Sequence, residues 1–448
     1  MSIDASKVNM NNTSQNEDSV VVVGAGPVGL AAAAHLTMRG MNPIVLEKGT
    51  HAGAAIQQWG HVRVFTPWHY VTDSAMVELL ESSGWQHPQQ ESIPTGSEIV
   101  NAYLKPAATY FGDQVHYGVT VTAITKKGFS KSVSEGRNDV PYVVHYRTDD
   151  QREHVLEADV IIDATGTWSN PNPIGVNGVP VPGEQQFADK ITYGIPDILD
   201  KDQASYLGRR ILVLGGGHSA ANVILDALKL KSEYPDTQLF CGLRSDNADR
   251  LVGGGINDDF PARGALGNAM KEALEAGDLE ILAPAQVVRI DGTDTGMRVD
   301  VLVEGVERSV EVDRIIVTTG FRPDLDMLRE LRLDLDDVVE APRVLAPLID
   351  PNLHSCGTVP AHGVDELSHD DENFFIVGMK AYGRAPTFLM KTGYEQVRSI
   401  ADHLAGNYEA ARRIELELLV TGVCSPSIRD ASEAGTCTTG AATAACCD

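Results

Sequence analysis

Val20-Val21-Val22-Val23-Gly24-Ala25-Gly26-Pro27-Val28-Gly29 decides the fold. Four consecutive valines suit a short, fully buried parallel strand. The glycines follow in a G-x-G-x-x-G pattern. The first permits a tight turn, the second lets backbone approach a pyrophosphate, and the third lets a helix pack on the strand. Leu30 to Arg39 is alanine-rich and reads as that helix, with Gly40 as its stop. Pro43-Ile44-Val45-Leu46 is a second strand ending at Glu47, where a carboxylate can accept hydrogen bonds from ribose hydroxyls. Gly24, Ala25, Gly26, Pro27, Gly29 and Glu47 are therefore candidate cofactor-binding residues. The free N–H groups and dipole of the helix start supply the charge complement.

The pattern returns at Ile211-Leu212-Val213-Leu214, followed by Gly215-Gly216-Gly217-His218-Ser219-Ala220 and a helix over Ala221 to Leu230. Alanine is the third small residue. The next strand, Thr237 to Cys241, leads not to a carboxylate but to Arg244. A carboxylate would repel a 2′-phosphate, whereas a guanidinium pairs with it. Gly215, Gly217, His218, Ser219, Ala220 and Arg244 thus describe a site for NADPH, with Arg250 a weaker candidate. Two such units imply two dinucleotides, most economically FAD at the first and NADPH at the second.

Two further apolar strands run into small-residue turns, at Val160-Ile161-Ile162-Asp163-Ala164-Thr165-Gly166 and at Ile315-Ile316-Val317-Thr318-Thr319-Gly320. Gly166 joins the cofactor candidates on that ground. A last strand, Phe374 to Val377, ends at Gly378-Met379, two further cofactor candidates, and Pro386 to Leu404 carries apolar positions at helical spacing. The expected class is α/β, with two dinucleotide-binding domains, the second inserted into the first. Residues 19–185 and 320–420 form the FAD-binding domain and 186–319 the NADPH-binding domain. Residues 1–18 are a loose leader, and 421–448 a mobile, cysteine-containing tail.

Composition bounds the rest. The 448 residues include 36 Lys+Arg and 62 Asp+Glu, a formal charge of −26. Such a chain repels phosphate backbones and anionic lipid, so nucleic acid and membrane are poor partners. No apolar run is long enough to span a bilayer, and the first residues lack a signal peptide's basic start and apolar centre, so a cytoplasmic protein is expected.

The motifs Gly24-Ala25-Gly26-Pro27, Gly217-His218-Ser219-Ala220, Ala164-Thr165-Gly166 and Thr319-Gly320-Phe321-Arg322-Pro323-Asp324 resemble those of single-chain, two-Rossmann flavin-dependent monooxygenases. The resemblance covers roughly Val20 to Leu404. The segments Trp59-Gly60-His61-Val62-Arg63-Val64-Phe65-Thr66-Pro67-Trp68 and Gly378-Met379-Lys380-Ala381-Tyr382-Gly383-Arg384-Ala385-Pro386-Thr387 are similar to flavoproteins associated with arsenic resistance, some of which are regarded as oxidases of trivalent methylarsenicals.

There are departures. Ile191-Thr192-Tyr193-Gly194-Ile195-Pro196-Asp197 lacks the histidine of the monooxygenase linker signature, which removes support for Baeyer–Villiger chemistry. Met379 stands where many disulfide reductases have aspartate, and no Cys-x-x-Cys or Cys-x₄-Cys pair exists.

The resemblance implies hydride transfer from NADPH to the flavin. O₂ capture then gives a C4a-hydroperoxide, whose electrophilic oxygen passes to a soft nucleophile: sulfur, nitrogen or trivalent arsenic. Arg63, Trp59 and Trp68 are candidates for the flavin-facing wall, set against ordinary core tryptophans and a surface arginine.

Cys356 is flanked by His354 and His362, so it reads either as a reactive thiol or as a plain loop cysteine. Cys241, at a strand end, reads as packing. Four of the six cysteines, Cys424, Cys437, Cys446 and Cys447, lie after Val420 and could capture a thiophilic metalloid. Two other functions stay open: an NADPH-dependent flavin reductase or oxidase acting on a metal ion or quinone, and a thiol-rich metalloid-binding or redox-sensing flavoprotein. A small-molecule substrate and O₂ are the expected partners, and a homo-oligomer is compatible with the sequence.

Overall fold

The computed structural model describes residues 19–254, 258, 260–351, 359–385 and 388–416. Cys356, Cys424, Cys437, Cys446 and Cys447, with the leader and tail expected at the two ends, lie outside them. The first half of the chain supplies β1 (Val20–Val23), β2 (Ile44–Glu47), β3 (Val115–Tyr117), β4 (Val119–Lys126), β5 (Tyr142–Thr148), β6 (Glu153–Ala158) and β7 (Val160–Asp163). Then come β8 (Ile191–Tyr193), β9 (Arg210–Leu214), β10 (Gln238–Gly242), β11 (Glu280–Leu282), β12 (Ala285–Thr293), β13 (Gly296–Val303), β14 (Val306–Val312) and β15 (Arg314–Val317). The last strand is β16 (Phe374–Ile376).

Two five-stranded sheets organise these elements. The first runs β16-β7-β1-β2-β3 and the second β11-β10-β9-β15-β8, every pairing within them parallel. The first sheet takes its edge strand from beyond the second. The molecule is thus an α/β protein of the two-dinucleotide-binding kind.

The helix Pro27–Met38 follows β1. Pro27 sits at its first position, where the missing N–H costs nothing. It is apolar all round, Leu30 to Ala34 and Leu36 being buried, because it lies between the sheet and the helix Met390–Leu404. Helix His218–Glu233 plays the corresponding part after β9.

The central strands of the second sheet are buried on both faces, and the period of two divides their side chains. Ile211, Val213, Leu239, Cys241 and Ile316 pack against the helical layer. Leu212, Leu214, Ile315 and Val317 pack against the antiparallel meander β12-β13-β14. That meander and its counterpart β4-β5-β6 were absent from the strand pattern expected above. Apolar residues alternate with charges in Met297-Arg298-Val299-Asp300-Val301 and with threonines in Val119-Thr120-Val121-Thr122, so no long apolar run marks them.

The two chain crossings between the sheets are laced together. Pro171 bridges Phe321, Asn172 N–H donates to Gly320 O at 3.0 Å, and Arg322 N–H donates to Asn170 O at 3.0 Å. Asn170 and Asn172 side chains donate to Pro323 O and Thr319 O. Trp168 packs on Phe321 with ring centroids 4.6 Å apart and donates to Gln58 Oε1 at 2.9 Å.

His369 is buried against Phe374, and its Nδ1 accepts the Asp334 N–H at 3.2 Å. Burial, with nearby carboxylates opposing, lowers its pKa from 6.5 to about 4. The unfolded chain therefore binds a proton below pH 6.5 that the folded chain refuses until about 4. Stability should be full above pH 6.5 and fall as pH drops toward 4, by at most roughly 3 kcal/mol from this residue. Urea midpoints at pH 7 and pH 5 test it, and His369→Gln should flatten the difference.

Candidate functional site

At the carboxyl end of β1 the three glycines have distinct jobs. Gly24 has φ +104°, and a Cβ there would lie 2.7 Å from Ala164 O, in the turn after β7. A Cβ at Gly29 would lie 2.0 Å from Gly24 O, so helix and turn touch backbone to backbone. Gly26 is different. Its backbone is extended (φ −79°, ψ −176°), and a Cβ would meet nothing within 4 Å. It caps the helix, with open space beside the first N–H groups, which suits an anion such as a pyrophosphate. Glu47 accepts the Ala25 N–H at 2.7 Å and the Gly49 N–H at 2.6 Å. One backbone donor on each oxygen pins the carboxylate at the strand end and leaves lone pairs for ribose hydroxyls.

The second turn repeats this geometry. Gly215 has φ +139°, and a Cβ would lie 2.3 Å from Thr318 Oγ1. Gly217 is extended (φ −105°, ψ −174°) and faces open space. Ala220 is fully buried. Ser219 lies in the first turn of the helix. His218 opens it, with its ring edge-on to that of Phe65, between β2 and β3, at 5.4 Å. Burial, and then the positive charge of Arg263, hold the His218 ring below its usual pKa. Arg244 is exposed just past β10 and pairs with no described residue, as does Arg250. Both turns therefore fit dinucleotides, and past the strand that follows the second turn stands a cation that pairs with no described residue.

Gly166 (φ +65°) faces open space after β7. Gly378 (φ +69°) lies against Val28, and its N–H donates to Gln396 Oε1 at 2.7 Å. Gln396 in turn contacts His362 Nε2 at 2.8 Å. Met379 lies in the short 3₁₀ turn Gly378–Tyr382.

Sequence reading missed the group between these turns. Lys380 Nζ donates to Asp163 Oδ2 at 2.6 Å and to Thr165 Oγ1 at 3.1 Å, and both charged side chains are buried. A charge closing the apolar run Val160-Ile161-Ile162 was the available signal.

The expected wall residues differ in their surroundings. Trp68 is 4% exposed and covered by the first core. Arg63 is exposed, and its guanidinium donates to Ile93 O beside Glu98. Trp59 is half-buried, with its ring 6.5 Å from that of Trp168. Cys241 is buried in β10, and burial pushes its thiol up to about 12, so it is packing. Among the described residues no group of three or more His, Cys, Asp or Glu is placed to hold a metal. No helix there is long and apolar enough to cross a membrane.

Known proteins share this architecture. The family model described as pyridine nucleotide-disulphide oxidoreductase matches residues 21–345. A ferredoxin–NADP reductase from Thermus thermophilus is 23% identical over 347 residues, 76% of this chain and 84% of its own length. The bacillithiol disulfide reductase of Bacillus cereus superposes with a TM-score of 0.64 at 21% identity, covering 88% of this chain and all of its own. The FAD-bound cadaverine monooxygenase of Erwinia amylovora gives 0.62 at 14% identity, covering 92% and 100%. These structural likenesses establish the fold.

Proposed function

The chain belongs to the pyridine nucleotide-disulphide oxidoreductase family, and we propose that within it this protein is an NADPH- and FAD-dependent monooxygenase of small soft nucleophiles. The observation that carries the reading is the duplicated cradle: two glycine turns, each opening a helix at the carboxyl edge of its own parallel sheet. Gly26 and the helix start at Pro27 hold the FAD pyrophosphate, and Glu47 its ribose. Gly217 and the helix start at His218 hold the nicotinamide dinucleotide, and Arg244 its 2′-phosphate. Bound FAD, reduced by NADPH, supplies the electrons that activate O₂.

The cysteine pattern favours oxygenation over thiol relay, since the sequence holds no Cys-x-x-Cys. A trivalent arsenical is the favoured substrate. The resemblance of Trp59–Trp68 and of 378–387 to arsenic-resistance flavoproteins supports it, as do the four cysteines after Val420. A second reading, an NADPH-dependent reductase, is favoured by the similarity to the Thermus thermophilus protein.

Turnover with NADPH, methylarsenite and ¹⁸O₂, followed by mass spectrometry, separates the two. Monooxygenation places ¹⁸O in the arsenical. NADPH oxidation that runs equally under nitrogen with ferricyanide, without label in the product, supports the reductase.

Arg244→Ala should weaken NADP⁺ binding by about 10- to 100-fold, the worth of a charge-assisted contact, and leave NAD⁺ binding unchanged. Isothermal titration with both nucleotides reads this directly, and equal losses would remove Arg244 from the 2′-phosphate site.

A further inference from the structure

Arg263 stands in the first turn of the helix Pro261–Ala276. This helix and His218–Glu233 lie side by side between successive strands of the second sheet, the one following β10 and the other β9. Both therefore begin at the carboxyl edge, where open parallel sheets take their ligands.

The Arg263 guanidinium is anchored. Its Nε donates to both oxygens of Asp258, at 2.9 and 2.7 Å. The Asp258 carboxylate is 1% exposed, and its Oδ1 also accepts the Phe260 N–H at 2.9 Å. The guanidinium lies 5.0 Å over the Phe260 ring. Among the described residues only its Nε donor finds a partner. Nη2 is buried without a partner, and Nη1 bonds to no described residue. A buried N–H left unpaired costs about 1–3 kcal/mol. A fork held at one end by a buried carboxylate, with its other donors unmet, suits an anion's oxygens.

The neighbours identify that anion. His218 is the first residue after Gly217, and Arg263 is close enough to act on its ring charge. Gly253 lies against the same ring, where a Cβ would come within 3.1 Å of Nε2. Arg263 is thus near enough to bear on the residue that opens the helix after the turn, and its own helix packs along that helix. Arg244, at the end of β10, stands on the side of the adenosine ribose.

We propose that Arg263, oriented by Asp258, grips the pyrophosphate of the nicotinamide dinucleotide. It would then read what NADPH and NADH share, while Arg244 reads what distinguishes them. The inference rests on the two-nucleotide reading above.

Isothermal titration of the flavin-loaded protein with NADP⁺ and NAD⁺ tests it. Arg263→Gln should raise both dissociation constants by the same factor, roughly 10- to 100-fold, so that their ratio is unchanged. Arg263→Lys keeps the charge but loses the fork and should raise both less. Asp258→Asn, which loosens the anchor, should also raise both. Melting temperature and flavin content check that each variant is folded. Unchanged constants in the folded lysine and glutamine variants, or a loss confined to NADP⁺, would overturn the role of Arg263 while leaving the nucleotide site intact. Failure of the unsubstituted protein to bind either nucleotide would overturn the underlying reading, and this inference with it.

Discussion

Gly26→Ala is expected to give a folded, colourless protein. The extended backbone at Gly26 is open to any residue, and the added methyl meets no protein atom within 4 Å. Folding therefore loses almost nothing. The methyl instead projects over the helix start, into the space where a pyrophosphate must approach the backbone. Flavin content after purification should fall at least about tenfold, the effect of roughly 1.4 kcal/mol or more of lost binding. Circular dichroism should match the parent. Gly24→Ala makes a poor substitute: a positive φ and a 2.7 Å approach to Ala164 O combine to damage the turn itself. A yellow Gly26→Ala protein with full flavin occupancy would remove the first cradle from the FAD site.

Lys380→Met should produce the largest loss of stability of any single substitution considered. It leaves the Asp163 carboxylate buried with only the backbone and hydroxyl of Thr165 as donors. Breaking a buried pair from one side costs about 3–5 kcal/mol, because the remaining charge is uncompensated. At about 2–4 °C per kcal/mol for a unit of this size, the melting temperature should drop by roughly 10 °C. The double variant Lys380→Met, Asp163→Asn should recover much of that loss, since no bare charge remains. The pair joins the ends of β7 and β16, between the Ala164–Gly166 turn and the Gly378–Met379 turn. The single variant should therefore also hold flavin less well. A single variant within 1 kcal/mol of the parent would show that the two charges are not coupled as the geometry requires.

Much of the frame was legible beforehand. Four buried valines, a glycine turn and an alanine-rich helix are neighbours in the chain, so their pattern shows in a short window; β1 stands where that pattern placed it, and its helix begins at Pro27 rather than Leu30. The same holds for β9, whose helix begins at His218, earlier than the expected Ala221, because the turn's own residues enter the first helical turn. The antiparallel meanders were not legible. Polar residues interrupt their apolar runs and hide strands whose apolar side becomes evident only where it packs, β12-β13-β14 on the second sheet and β4-β5-β6 in the first core. Trp68 could be read as a wall residue or as core, and packing from other segments covers it.

Sequence alone determined the two strand–turn–helix units, the carboxylate at the end of one and the arginine at the end of the other. These depend on backbone freedom and side-chain period, which act over a few residues. Only the tertiary structure decided that Gly26 and Gly217 face open space while Gly24, Gly29 and Gly215 face backbone or side-chain oxygens. It also decided that Lys380 neutralises an aspartate 217 positions away, and that the helix carrying Arg263 packs along the helix that His218 opens. Such contacts follow from the order of strands in a sheet and the packing of helices across it. No local stretch of chain contains that information.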